Sequence, residues 1–202
     1  MEGSIFYFLF WSFWIYITFF MKKENPYRVK LAATVLIVII LANVSIPNGR
    51  FQVYTSGLFL LIVTYMALNK ENGKTLAYFY ICSFIITIAY VTFCLFEIFD
   101  PVWLIFKKEW MMGVTLGYLA ILLQKNLRGR LLILISGTMQ GEILYAYILS
   151  KYGFPYPIAA FTYLDSFALT ATLLILWSGM ENIGFFFERH FHFAERGKEK
   201  SS

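Results

Sequence analysis

Residues 110–123 read WMMGVTLGYLAILL and follow the charged tripeptide Lys107-Lys108-Glu109. The stretch is apolar but short, because a membrane-spanning helix needs about 20 such residues. Whether it crosses decides the direction of everything after it. Charge placement separates the two cases. If it crosses and the N-terminus is outside, the inner segments hold Lys22, Lys23, Arg28, Lys30, Lys70, Lys74, Lys125, Arg128, Arg130, Arg189, Arg196, Lys198 and Lys200, which is 13 of the 17 basic residues. Arg50, Lys107, Lys108 and Lys151 then lie outside. If it does not cross, the later segments invert and the split becomes seven inside against ten outside. Inner loops carry the excess of Lys and Arg, and the rule works best for short loops such as these. It therefore favours a crossing.

Composition makes the membrane setting plain. The chain has 202 residues, 59% hydrophobic, 20% aromatic and only 14% charged, with a mean hydropathy of +0.66. A soluble domain is typically about 45–50% apolar and about 25% charged. Twenty-nine charged side chains (17 basic, 12 acidic) cannot coat a soluble surface of this size. A soluble enzyme domain with a water-exposed cleft is excluded. The pI of about 9.1 reads as orientation of a membrane protein rather than as nucleic-acid binding.

The apolar segments predict an all-α, polytopic transmembrane bundle of seven spans, N-out and C-in, near residues 3–21, 31–46, 51–68, 75–99, 110–123, 131–150 and 158–179. Residues 180–202 form a cytoplasmic juxtamembrane tail. The first span is retained rather than a signal peptide, since no positive charge precedes it and no small-residue cleavage site follows. The second stops at the turn signal Pro47-Asn48-Gly49. Asp100-Pro101 resembles an N-cap and first-turn pair, so residues 102–106 are expected to form an interfacial helical turn. The stems of Lys107 and Lys108 would then snorkel to the headgroups. Trp11, Trp14, Trp103, Trp110 and Tyr152 suit the interfacial belts. No loop is large enough to fold as a receptor head or to hold a nucleotide.

Ionisable groups inside a span are costly and point to function by default. Two stand out. Glu142 lies roughly 12 Å inside the outer end of the sixth span, and Asp165 roughly 10 Å inside the same end of the seventh, at 1.5 Å per residue. The two helices are consecutive, so both carboxyls are expected at nearly the same depth, where two acids could share a proton. One reading is a proton relay or cation site. The other is hydrogen bonding that serves packing. Gln140 and Thr138 are candidate partners, as is Asn43 nearer the end of its span. Glu97 is expected at the interface. Gly137 with Gly141, and Gly113 with Gly117, form small-xxx-small pairs that let helix backbones approach closely. The partner helix, in this chain or in a second copy, is open at this stage.

Other chemistry is thinly supplied. Cys82 and Cys94 are twelve residues apart on one segment, roughly 18 Å along a helix, too far for a disulfide. His190 and His192 are too few for zinc, which takes three or four protein ligands. Their Phe-rich surroundings suit a segment in the inner headgroup layer. The seventh span lacks a lysine for a retinal Schiff base, and Ser136-Gly137 lacks an intramembrane histidine for serine-protease chemistry. No HExxH, CxxC, P-loop or dinucleotide glycine pattern is present. No catalytic residue, metal or cofactor is expected.

The near-full length of the chain, the opening Met1-Glu2-Gly3-Ser4 running into an aromatic first span, and the loop Lys22-Lys23-Glu24-Asn25-Pro26-Tyr27 resemble the YphA (SeaA) family. That family comprises small multispanning membrane proteins of Bacillus-type bacteria. The resemblance implies a cell-membrane protein linked to sporulation and spore-envelope assembly, and it brings no established active-site residues. The expectation is a non-enzymatic membrane protein acting in membrane-associated assembly. Its partners are the lipid bilayer and other membrane proteins or a second copy. The alternative is a small proton- or cation-linked transporter or channel using Glu142 and Asp165. An intramembrane enzyme is the third class.

Overall fold

The computed structural model describes residues 2–48, 51–100, 102 and 104–199, with backbone alone at 48, 51 and 184–199. Arg50 and Trp103 therefore lie outside the described residues, as do the side chains of His190 and His192.

Among the described residues there are seven α-helices: α1 Ser4–Ile15, α2 Arg28–Leu41, α3 Thr55–Leu68, α4 Gly73–Phe99, α5 Lys108–Leu123, α6 Leu127–Lys151 and α7 Phe161–Glu199. A π-helical turn, Tyr16–Phe20, extends α1. In lipid every backbone polar group must find a partner within the protein, and the helix does this within one segment. α4, α6 and the Phe161–Ile183 part of α7 are long and apolar enough to cross a membrane, whereas the segment Ser4–Phe20 and α3 are apolar but shorter. The flanks confirm the solvent. Phe8 is 72% exposed, Val29 76% and Leu122 63%, side chains that a water-facing helix would bury. This is an integral membrane protein.

The departure from an all-helical architecture is a small sheet in the order β1-β2-β3, built from β1 Ser45–Asn48, β2 Phe51–Tyr54 and β3 Pro157–Ile158. β1 and β2 are antiparallel, with Asn48 opposite Phe51. Pro47 and Asn48 of the expected turn signal thus lie in a strand paired with β2. β2 and β3 are parallel, with Val53 opposite Ile158. Both prolines, Pro47 and Pro157, fall on edge strands, where a missing N–H costs no ladder bond. The sheet explains why helices stop short of the expected span limits. α2 ends at Leu41, and α3 starts at Thr55 rather than at residue 51. The Thr55 backbone N–H donates to the Val44 carbonyl at 2.9 Å, and its hydroxyl to the Leu41 carbonyl at 3.1 Å, clamping the two helix ends.

Asp100 follows the last residue of α4. Its carboxylate accepts the Val102 N–H at 3.1 Å, the bond that an N-cap makes; of the helical turn expected over 102–106, Val102 is in a 3-10 turn and residues 104–106 are irregular. Lys107 is exposed, but Lys108 meets Glu97 at 2.6 Å and ties the start of α5 to the last turn of α4.

α6 and α7 form the centre. α6 packs against α3, α4, α5 and α7, and α7 also against α1 and α5. Ile133, Leu134, Met139, Leu164, Ala168 and Leu174 are completely buried between them and their neighbours. The three-stranded sheet marks one end of the bundle. The far end carries the α5–α6 connection and the extension of α7.

Candidate functional site: buried carboxyls at the sheet end

Glycine brings α4 onto α6. A Cβ on Gly137 would lie 2.5 Å from the Cβ of Ile86 and 2.8 Å from the Ser83 carbonyl oxygen; one on Gly141 would lie 2.7 Å from the Tyr90 ring. Ser83, Ile86, Thr87 and Tyr90 follow helical spacing, so one stripe of α4 rests on the glycine face of α6. The Gly113 face serves α7 in the same way, with a Cβ there falling 2.6 Å from Leu169; the space at Gly117 is ordinary, 3.8 Å to Thr170. Both glycine pairs therefore have their partner helix within this chain.

That close approach delivers the Tyr90 hydroxyl to Glu142, which is fully buried. Glu142 Oε1 accepts the hydroxyls of Tyr90 and of Tyr156, the latter at 3.0 Å. Its Oε2 accepts the backbone N–H of Ala159 at 3.0 Å. Tyr156 and Ala159 belong to the linker between α6 and α7, which folds back into the bundle. Ala159 has φ 57°, left-handed and costly for any residue with a Cβ. The Glu142 carboxyl pins it there. Burial, and then the Glu142 carboxyl beside it, push the Tyr156 phenol well above its usual range, so it stays protonated and donates.

Asp165 has a different task. Its Oδ2 accepts the Gly3 N–H and its Oδ1 the Phe6 N–H, each at 2.7 Å. The first N–H groups of a helix lack intrahelical acceptors. α1 begins at Gly3 without a side-chain cap of its own, so the cap comes from α7. Gly3 sits at φ 83°, and a Cβ there would also fall 2.7 Å from the Phe161 ring. The chain opening thus requires glycine twice over.

The sequence placed the two acids in one shared site, but each carboxyl has its own set of partners. The expected helpers also turn elsewhere. Gln140 Nε2 donates to the Tyr65 hydroxyl at 2.7 Å, and its Oε1 lies 3.5 Å from the Thr87 hydroxyl. Thr138 pairs with the Tyr163 hydroxyl at 3.0 Å. Asn43 is exposed. For Gln140 the reason is geometric: residues two apart on a helix point to different faces, so 140 and 142 address different neighbours. A cavity of about 10 Å³ lined by Tyr90, Thr138, Tyr163 and Thr170 has room for about one water. Among the described residues no three His, Cys, Asp or Glu side chains are grouped to hold a metal, and Cys82 and Cys94 are free and buried.

Sequence reading missed the far end. Arg130, counted above as a loop charge, is only 3% exposed. Its Nη1 donates to Ser178 at 2.9 Å and Glu181 at 2.7 Å, its Nη2 to Glu181 at 3.0 Å, and its Nε to the Gln124 carbonyl at 2.7 Å. Trp177 Nε1 adds a bond to Glu181 at 2.7 Å. The i, i+4 spacing of Trp177 and Glu181 was the available signal, but nothing local pointed to Arg130.

Comparison with known proteins agrees with an integral membrane protein. The family model described as YphA-like integral membrane protein matches residues 2–200. A relative in Bacillus subtilis (strain 168), named "Uncharacterized protein YphA", is 25% identical over 178 residues, covering 88% of this chain and 86% of its own length. No solved structure matches. The chain belongs to the YphA-like integral membrane protein family.

Proposed function

We propose that this member of the YphA-like family crosses the cell membrane seven times, N-out and C-in, and acts without enzymatic chemistry in membrane-associated assembly, in the setting of the spore envelope. One observation favours this over the transporter alternative. Both buried carboxyls spend their oxygens on structural donors: Asp165 on the start of α1, Glu142 on the linker into α7 and two tyrosines. A relay or cation site needs a carboxyl free to exchange its partner. The 13-to-4 charge split supports the topology. The spore-envelope setting comes from the family resemblance.

Two experiments test this reading. In a deletion strain, Glu142→Gln should restore spore assembly at normal protein abundance. Loss of function by an inserted, abundant Glu142→Gln protein would overturn it in favour of proton or cation linkage. For topology, a cysteine introduced at Asn126 should react with membrane-impermeant thiol reagents only from the inside. Labelling from the outside alone would remove the crossing by α5 and invert all that follows.

A further inference from the structure

The π-helical turn Tyr16–Phe20 leaves carbonyls at the end of the first helix without helical donors. Arg28, at the start of α2, fills part of that gap: its Nε donates to the Ile17 carbonyl at 3.3 Å and its Nη2 to the Thr18 carbonyl. A guanidinium has five N–H donors, so three remain after these described bonds. Between the π-turn and α2 runs a groove of about 350 Å³, with Trp14, Thr18 and Arg28 at one end and Val29, Ala33 and Leu36 along its apolar wall. That volume lies within the range of small-molecule sites, roughly 300–1,000 Å³. The buried Thr18 hydroxyl has no hydrogen-bond partner in the described structure. The adjoining exposed loop adds Lys22 and Lys23, and the first turn of α2 adds the exposed Lys30, against Glu24 alone.

We propose that this groove binds an anionic phospholipid, its phosphate on Arg28 and the Thr18 hydroxyl and its acyl chain along Val29, Ala33 and Leu36. Charge complementarity selects the occupant. Cations gathered at one mouth of an otherwise apolar, sideways-opening groove match an anionic headgroup joined to hydrocarbon, and basic pockets between membrane helices bind such headgroups. A protein helix would meet the same wall but would leave the cations unanswered. The site needs only the groove and its charges. Its assignment to the inner leaflet rests on the proposed orientation.

The test uses the purified full chain in detergent micelles, which have no sides, so its outcome is independent of topology. Thermal unfolding and native mass spectrometry are followed with added phosphatidylglycerol, phosphatidylcholine or soluble glycerol phosphate. Phosphatidylglycerol should raise the Tm and remain bound as a single lipid, and the other two should do neither. Ala33→Leu, which fills the groove but leaves Arg28 and its carbonyl bonds in place, should keep the lipid-free Tm and lose the lipid-dependent rise. A Lys22→Gln, Lys23→Gln, Lys30→Gln triple variant, altered only at exposed positions, should weaken retention about fivefold or more. An undiminished phosphatidylglycerol effect in either variant would overturn the proposal. So would an equal effect of phosphatidylcholine, an effect of glycerol phosphate alone, or a lipid-free dimer that Ala33→Leu abolishes.

Discussion

At the sheet end, α6 and α7 are held by carboxyls resting on backbone N–H groups and hydroxyls; at the far end they are held by a buried guanidinium on a carboxylate and a carbonyl. The difference follows helix polarity. A helix starts with N–H groups that lack acceptors and ends with carbonyls that lack donors, and its dipole adds positive character at the start and negative at the end. An acid therefore suits the place where a helix begins, and an arginine the place where one ends. Asp165 sits on the first N–H groups of α1. Arg130 reaches the carbonyl of Gln124, just past the end of α5, and Arg28 reaches the carbonyls that close the first helix. The first helix is thus capped at both ends by side chains from other segments.

The two ends should break differently. The largest effect is expected at the far end. Glu181→Leu leaves the Arg130 guanidinium, 3% exposed, without its carboxylate, and an uncompensated buried charge costs about 3 kcal/mol. Thermal unfolding of the purified protein should show it. Arg130→Leu should cost less, because the Glu181 side chain, 34% exposed, can turn to water.

At the sheet end, Asp165→Leu frees two buried N–H groups and should cost about 2 kcal/mol. Hydrogen exchange should report the loss first at residues 3–6, while the Arg130 end stays protected. Equal loss of protection at both ends would show that the two clamps are one cooperative unit.

The smallest effect sharpens the contrast between the acids themselves. Glu142→Gln can turn its carbonyl to the Ala159 N–H and offer its NH₂ to the two tyrosine oxygens, which accept as well as donate. Asp165→Asn has no such exchange, because both of its partners are N–H donors and only one amide oxygen is available. Asp165→Asn should therefore lower stability by about 1 kcal/mol and Glu142→Gln by less, in side-by-side melts. The reverse order would show that the hydroxyls of Tyr90 and Tyr156 cannot serve as acceptors in place.

Much of the site was legible in the residues and part of it was not. The burial of Glu142 and Asp165 followed from their depth in apolar segments, because burial in a membrane helix is set by local hydropathy. The close-packing role of Gly137 and Gly141 followed from their spacing, because the absence of a side chain is a local property. Their partners did not follow. Proximity along the chain suggested that two acids on consecutive helices would share a site and that Gln140 would join them. Helical rotation sends positions 140 and 142 to different neighbours, and Asp165 turns to a backbone 162 residues away.

By itself, then, the sequence determined that this chain is an integral membrane protein built from apolar helices, because composition and hydropathy act segment by segment. It also marked the breaks between those helices through charge and turn residues, though not the residues at which α2 ends and α3 begins. Only the tertiary structure decided the three-stranded sheet, which pairs residues near position 53 with others near 158. It alone decided the trans caps on the first helix and the burial of Arg130. Each of these satisfies a backbone or charged group left unpaired at a helix end, and the group that satisfies it is chosen by which ends the packing brings together. No local pattern records that choice.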